Sequence, residues 1–212
     1  MRVSNHLGPM APQYIPPDVC NTVGMVPDPA HVDQCMVKVI AQVRQGGVSA
    51  PGPALGPDGK PAGPKAVAAA NEQLRQLRQV VADAKSQNLD LKIVVLPTNP
   101  PVDPPLRDVA TAVGEDFPGS TVLVVSPFYA GTYSPTVNRV TLEAGQDVAK
   151  MTTDPVQQSK NFLTQLQTPI FPWTEFTIIV VVAVVLAAAA ARFLYLRARP
   201  AAVTAAAEQQ PS

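Results

Sequence analysis

Hydrophobic positions along the chain form either helix-spaced patterns or short continuous runs. In several segments apolar residues recur every three or four positions, which is the spacing of one face of an amphipathic helix. Two other segments are short, predominantly apolar runs, as expected of strands that are buried on both faces of a parallel sheet. The predicted helices are 31–45, 65–88, 106–116 and 155–166, and the predicted strands are 89–96 and 121–126.

The order of these segments predicts an α/β domain over residues 31–167. The helix–strand–helix–strand succession from 65 to 126 is typical of a right-handed crossover, which makes its two strands parallel neighbours. Residues 128–140 are rich in turn formers and aromatic residues and fit a hairpin or an edge strand, whereas 141–151 fits either a helix or a strand. We therefore expect a small sandwich with a mostly parallel central sheet flanked by helices.

Segments without hydrophobic periodicity surround and interrupt this domain. Residues 1–30 are proline-rich and predict an extended lead-in, and 46–64 predicts a flexible Gly/Pro insertion on the surface. The insertion contains GPDGKPAG, which lacks the spacing and the strand–loop–helix setting of a phosphate-binding loop. Residues 168–175 form a predicted connector, and 197–212 a predicted disordered tail.

A long apolar segment, 176–196, predicts one transmembrane helix. Such a helix would be about 31 Å long, which matches the hydrocarbon thickness of a bilayer. Trp173 and Tyr195 stand near its two ends, as interfacial aromatic residues do, and Arg192, Arg197 and Arg199 lie on its C-terminal side. The positive-inside rule then puts the tail in the cytoplasm and the main domain outside the plasma membrane.

The orientation has an alternative, because residues 1–30 contain no apolar run that could act as a signal peptide. Either the last helix directs export of the preceding domain, or the domain is cytoplasmic on a tail anchor. Insertion as a tail anchor would carry the three arginines across the bilayer, so we favour the exported domain.

Composition and cysteine content narrow the function classes. Sixteen basic side chains balance sixteen acidic ones and aromatic residues make up 5% of the chain, which argues against nucleic-acid binding. Cys20 and Cys35 are fifteen positions apart, and His6 and His31 do not complete a zinc-ligand pattern with them. The two cysteines are either buried free thiols or a disulfide, which would add about 3 kcal/mol of stability. We favour the disulfide because it agrees with an exported domain.

The residues expected of a hydrolase are missing from the predicted core. No histidine follows His31, and neither GxSxG nor HExxH occurs, so we predict a non-enzymatic protein without metal or cofactor. In open parallel sheets, ligands bind beyond the carboxyl ends of the strands. The proline-rich loop after the first predicted strand and the aromatic segment after the second meet there and predict a partner-binding surface. Its candidate residues are Asn99, Asp103, Arg107, Ser126, Phe128, Tyr129 and Tyr133.

Each of these residues also has a structural interpretation that the sequence leaves open. Asp103 would cap the following helix, Arg107 would be a solvated surface residue, and the tyrosines would pack against the edge of the sheet.

The stretch LDLKIVVLPTNPPVDPPLRDVATAVGEDFPGSTVLVVSPFYAGTYS, followed by a helix and a terminal apolar segment, resembles the TPM-type α/β fold. It is most similar to a family of actinobacterial single-pass membrane proteins that carry such a domain, and the resemblance covers roughly residues 15–197. It implies an envelope protein that binds cell-wall hydrolases of the NlpC/P60 type during cell separation.

Some TPM-type relatives are described as acid phosphatases or as calcium binders that use clustered aspartates. Here Asp103, Asp108 and Asp116 are spread along a loop and a helix without a dense cluster. A metal-assisted phosphatase that uses Asp103 therefore stays an alternative to the binding module. A cytoplasmic tail-anchored adaptor is the second alternative.

Overall fold

A computed structural model describes residues 14–52, 63–168 and 173–207, and in the last of these segments it describes the side chains of 176–197. The chain divides into two compact units, Met1–Thr168 and Pro169–Ser212. The first unit contains the sheet and the helices packed on it, and the second contains one long helix.

The described elements follow the predicted order, with two additions: a short helix before the first predicted one and a short strand after it. The helices are α1 Val19–Thr22, α2 Val32–Gly46, α3 Pro64–Ser86, α4 Pro105–Asp116, α5 Arg139–Ala149, α6 Pro155–Gln167 and α7 Trp173–Ala207. The strands are β1 Val48–Ser49, β2 Leu91–Val95, β3 Thr121–Val125 and β4 Ala130–Tyr133. The segment 141–151, for which the pattern did not decide, is helical because Asn138 caps α5 by accepting the amide of Thr141.

The four strands form one sheet in the order β1-β2-β3-β4. The first three are parallel, with Ile93 opposite both Val48 and Leu123. The fourth is antiparallel to β3 and places Gly131 opposite Val124. The predicted mostly parallel sheet is confirmed, and so is an edge strand in the segment 128–140.

Both faces of the sheet are covered, which makes a three-layer sandwich. One hydrophobic cluster joins side chains of β2 and β3 such as Ile93 and Leu123 to α3, α5 and α6. The other joins their neighbours on the opposite face, such as Val94 and Val124, to α1, α2 and α4. This burial on both faces explains why β2 and β3 are mostly apolar in the sequence, with Lys92 as the charged exception.

The two parallel crossovers have opposite hands. The connections β1-α3-β2 and β2-α4-β3 advance across the sheet in the same direction. Their helices nevertheless pack on opposite faces, α3 in one cluster and α4 in the other. Only one of the two crossovers can therefore be right-handed. The sequence order predicted a right-handed connection for β2-α4-β3.

The prediction of an extended lead-in is wrong for its described part, residues 14–30. This part contains α1 and a 3-10 turn at Pro29–His31. Val19 and Cys20 are fully buried. The hydroxyl of Thr22 donates to the carbonyl oxygen of Val95 over 3.0 Å. A four-residue helix is too short to show a helical period, so α1 could not be predicted from the hydrophobic pattern.

The predicted flexible insertion begins with a strand. Gly47 ends α2 in a left-handed conformation (φ 74°), and Val48 and Ser49 pair at once with β2. A two-residue strand has no alternation that a sequence pattern could reveal. Residues 53–62 of the insertion lie outside the described part of the chain.

The long helix α7 contains the predicted membrane segment and extends past it. Its portion Phe176–Arg197 is long and apolar enough to cross a membrane, with a mean hydropathy of 2.6 and no burial inside the protein. The helix continues to Ala207, so the predicted disordered tail is wrong up to that residue. Alanine, which dominates this stretch, has the highest helix propensity. Residues 169–172 of the predicted connector and 208–212 of the tail lie outside the described part.

Helix α6 runs along the sheet from one end to the other. Gln158 near its start donates to the carbonyl oxygen of Ser126, just beyond β3. Gln167 at its other end shares a surface cavity with Ser86 and Gln87, which precede β2. The chain therefore leaves the first unit at the end of the sheet opposite the carboxyl ends of the parallel strands.

Candidate functional site

Two loops meet at the carboxyl ends of β2 and β3, as the sequence predicted. One amide oxygen holds them together: Asn99 Oδ1 accepts the hydroxyl of Ser126 and the backbone amide of Phe128, each over 2.9 Å. Asn99 is half-buried and Ser126 is buried. Their side chains are therefore occupied in joining the loops, while the loops themselves form the surface.

The turn between β3 and β4 depends on this contact. Ser126 donates its amide to the carbonyl oxygen of Tyr129 over 2.9 Å, which leaves Pro127 and Phe128 as a two-residue turn. Two-residue hairpins favour turns with positive φ, yet neither Pro127 nor Phe128 has one. Asn99 supplies the stabilisation that this turn type lacks, and Phe128 stands at its tip with 62% of its surface exposed.

A cavity of about 210 Å³ lies beneath these loops. It is lined by Pro51, Gln73, Val95, Leu96, Pro97, Ser126, Pro127, Thr153, Pro155 and Gln158. None of these described lining residues carries a charge. Their amides, hydroxyls and prolines can form hydrogen bonds and apolar contacts with a neutral group.

Asp103 does not cap α4, because the capping position is Pro104 and no side chain caps the helix there. Its Oδ2 accepts Lys150 Nζ over 2.9 Å, which joins the loop to the end of α5. Its Oδ1 is buried and has no hydrogen-bond partner among the described residues. Sequence reasoning missed Lys150, which lies 47 positions away and carries no distinguishing pattern.

Arg107 projects from the first turn of α4 and is exposed, as its structural interpretation predicted. It lines two neighbouring cavities of about 260 and 280 Å³ along β4. Within the part of the chain that the structure describes, its guanidinium has no ion pair or hydrogen bond.

The two tyrosines are half-buried and pack against the hydrophobic cluster that contains α4. The ring of Tyr133 lies directly over Gly114, where any Cβ atom would overlap it. This agrees with the structural interpretation of both residues. The seven candidates thus separate into a loop pair (Asn99, Ser126), an exposed tip (Phe128), two charged residues (Asp103, Arg107) and two packing residues.

The cysteines form the predicted disulfide, which links α1 to α2. Cys20 and Cys35 are both fully buried. Free thiols are therefore not found among the described residues.

The three aspartates that the resemblance singled out have separate partners. Asp108 accepts the backbone amide of Tyr14 over 2.9 Å, and Asp116 lies 3.4 Å from Arg44. In the described segments no group of three or more His, Cys, Asp or Glu side chains is arranged to hold a metal ion.

Asp90, at the opposite end of the sheet, has a shifted pKa. Burial acts to raise it, but hydrogen bonds from Lys92, over 2.7 Å, and from Ser120 outweigh that effect, so the pKa of Asp90 lies below its ordinary value. These hydrogen bonds join Asp90, just before β2, to Lys92 within β2 and to Ser120 just before β3, and they lie away from the candidate surface.

Comparisons with known proteins agree on one family. A family model described as membrane protein Rv1476 matches residues 14–207. A curated relative, membrane protein Rv1476 of Mycobacterium tuberculosis (strain ATCC 25618 / H37Rv), is 43% identical over 197 residues, which cover 93% of this chain and 91% of the relative. No solved structure matches.

Proposed function

We propose a protein-binding function for this chain, which belongs to the Rv1476 membrane protein family. In this proposal it is a membrane-tethered, non-enzymatic module of the actinobacterial cell envelope, and its sandwich is a TPM-like domain. The observation that carries the proposal is the exposed ring of Phe128 on a turn fixed by Asn99. An apolar side chain held in place on a rigid loop is what a binding surface needs, because little freedom is lost on binding.

The proposed contact area, which we call the tip surface, consists of Val102 and Phe128. Val102 is 55% exposed and Phe128 62% exposed. Both belong to loops that Asn99 and the Asp103–Lys150 ion pair fix to the sheet. Aromatic side chains such as that of Phe128 are enriched in the cores of protein interfaces, and a few buried side chains carry most of the binding free energy there. The uncharged cavity beside them supports recognition rather than acid–base chemistry.

In this proposal the domain lies outside the plasma membrane and the C-terminal end of α7 lies in the cytoplasm. The buried Cys20–Cys35 disulfide supports an oxidising compartment, since such bonds are rare in the cytosol. The arginines at 192, 197 and 199 support the same direction. A cytoplasmic adaptor would instead need reduced cysteines.

The proposed partner is a cell-wall hydrolase of the NlpC/P60 type, which the module recruits or regulates during cell separation. This partner follows from the resemblance to TPM-type actinobacterial proteins. A metal-assisted phosphatase would need Asp103 to bind a metal, and its ion pair with Lys150 favours the binding module over that alternative.

The test is binding of the full chain, in lipid nanodiscs, to a purified NlpC/P60-type hydrolase. We expect the double variant Val102→Ser/Phe128→Ser to weaken binding at least about tenfold, because the apolar anchors are removed. Its melting temperature should not change, since both side chains are exposed.

The matched control is Val26→Ser/Val37→Ser, which removes two side chains that are 82% and 66% exposed on other parts of the domain. It should bind like the unmodified chain. Equal binding by the tip variant and the control would contradict the proposal.

A further inference from the structure

The outer edge of β4 has backbone groups that the sheet does not use. β4 is the last strand of the sheet, so one of its edges faces away from β3. Ser126 and Tyr129 form a hydrogen-bonded pair, and in an antiparallel ladder such pairs alternate with non-bonded ones. Gly131 and Tyr133 therefore bond to β3, whereas Ala130 and Thr132 direct their N–H and C=O groups outward.

A groove follows this edge. It consists of the two neighbouring cavities, one lined by Ala130 and Gly131 and the other by Thr132 and Tyr133. Helix α4 contributes Arg107 to both cavities, and α5 contributes Gln146 to the first and Leu142 to the second. We call this feature the β4 groove: its floor is a strand edge and its walls are two helices.

The strand lies very close to α4. A Cβ atom on Gly131 would overlap the backbone of Leu106 and Arg107. Glycine at this position therefore brings the first turn of α4 against the strand, so that Arg107 stands beside the strand edge.

Some of the charged side chains in the groove have ion-pair partners and others do not. Arg107 is exposed and without an ion pair among the described residues, although Asp103 and Asp108 line the same cavity. Asp103 Oδ1 is buried and lacks a donor in the described part. At the other end, Arg139 is bonded to Glu143 over 2.7 Å. Among the described residues, the groove thus offers one exposed and unpaired cation, Arg107.

We propose that the β4 groove binds an extended peptide segment with an acidic side chain, which adds a strand to β4. The outward groups of Ala130 and Thr132 bond the peptide backbone, and Arg107 pairs with the acidic side chain. Strand addition of this kind derives its affinity from main-chain hydrogen bonds and its specificity from neighbouring side chains. The inference rests on the proposed protein-binding function and adds a second contact with its own chemistry.

In this proposal Arg107 also controls access to the strand edge. Ala130 and Thr132 are 2% and 5% exposed, so a peptide reaches their backbone only when a wall side chain moves aside. Arg107 is the exposed, unpaired side chain of that wall. An acidic peptide side chain draws it outward, and this couples charge recognition to strand pairing.

The experiment uses the full chain in nanodiscs and immobilised pools of hexapeptides. One pool has a central Glu, the second has Lys at that position, and the third has the central Glu and N-methylated backbone amides; the other positions are mixed. Because the mixed positions average over side-chain preferences, retention reports charge and backbone pairing. We expect the Glu pool to retain the chain at least about tenfold better than the Lys pool. The N-methylated pool should lose this retention, because it cannot donate to a strand edge.

Variants separate this inference from the tip surface. Arg107→Glu should invert the preference towards the Lys pool, and Arg107→Gln should reduce the difference between the two pools. Val102→Ser/Phe128→Ser should leave pool retention unchanged while it weakens hydrolase binding. Equal retention on all three pools, or an unchanged preference in Arg107→Glu, would overturn the strand-addition proposal and leave the tip surface untouched.

Discussion

Asn99 determines the form of the candidate surface through one atom. Its Oδ1 receives a hydroxyl and a backbone amide from the next loop, and both donors belong to the β3–β4 turn. The turn has neither the glycine nor the positive φ that two-residue hairpins favour, so its geometry comes from a neighbouring loop instead of from its own residues. The sequence could suggest that the two loops meet, because parallel strands end at one edge. It could not indicate which oxygen accepts which donor.

We predict that Asn99→Ala lowers the free energy of unfolding by about 1–3 kcal/mol, because two donors lose their acceptor. Chemical denaturation of the full chain in detergent measures this. Asn99→Asp keeps an acceptor oxygen in place and should lose less. Equal losses in the two variants would show that the accepted hydrogen bonds do not stabilise the turn.

At the scale of elements, the hydrophobic pattern predicted the longer helices and strands and missed the shortest ones. Helices α3 and α4 were predicted because each repeats its apolar spacing often enough to define a period, and strands β2 and β3 because each lies in an apolar run bounded by turn residues. α1 and β1, with four and two residues, have no measurable period. Tertiary contacts create them: α1 is held to α2 by the disulfide, and β1 pairs with β2 directly after Gly47.

The disulfide leads to a prediction for α1. Closing a loop of fifteen residues should contribute about 3 kcal/mol to the free energy of unfolding. Cys20→Ala/Cys35→Ala, or reduction after unfolding, should therefore lower stability by this amount in a denaturant titration. Reductant should have no effect on the double variant. Equal stability of the reduced and oxidised chains would show that α1 is held by packing alone.

At the scale of the whole molecule, the membrane helix and the sheet domain are separate compact units joined through residues 169–172. The apolar run was recognisable because a bilayer imposes a length and a composition that soluble helices rarely meet. The orientation that we propose is inferred from the arginines that follow the apolar run and from the disulfide, not from packing contacts.

We predict that a cysteine introduced at Val26, a position that is 82% exposed, reacts with a membrane-impermeant maleimide in intact cells. A cysteine introduced at Ser212 should react only after lysis. The native pair is oxidised and buried, so the unmodified chain provides the unlabelled background. The reverse labelling pattern would place the domain in the cytoplasm and remove the cell-wall partner from consideration.

The course of α6 has a mechanical consequence. The helix starts beside the carboxyl end of β3 and ends where the chain leaves the domain for the membrane helix. If the membrane holds one end of the domain and a partner pulls on the tip surface, the force acts parallel to α6 and to the strands. Hydrogen bonds between strands are then loaded in shear, so several must break together before the sheet yields. If the proposed partner is attached to the cell wall, a domain tethered in this way would resist that pull along the direction in which its sheet is strongest.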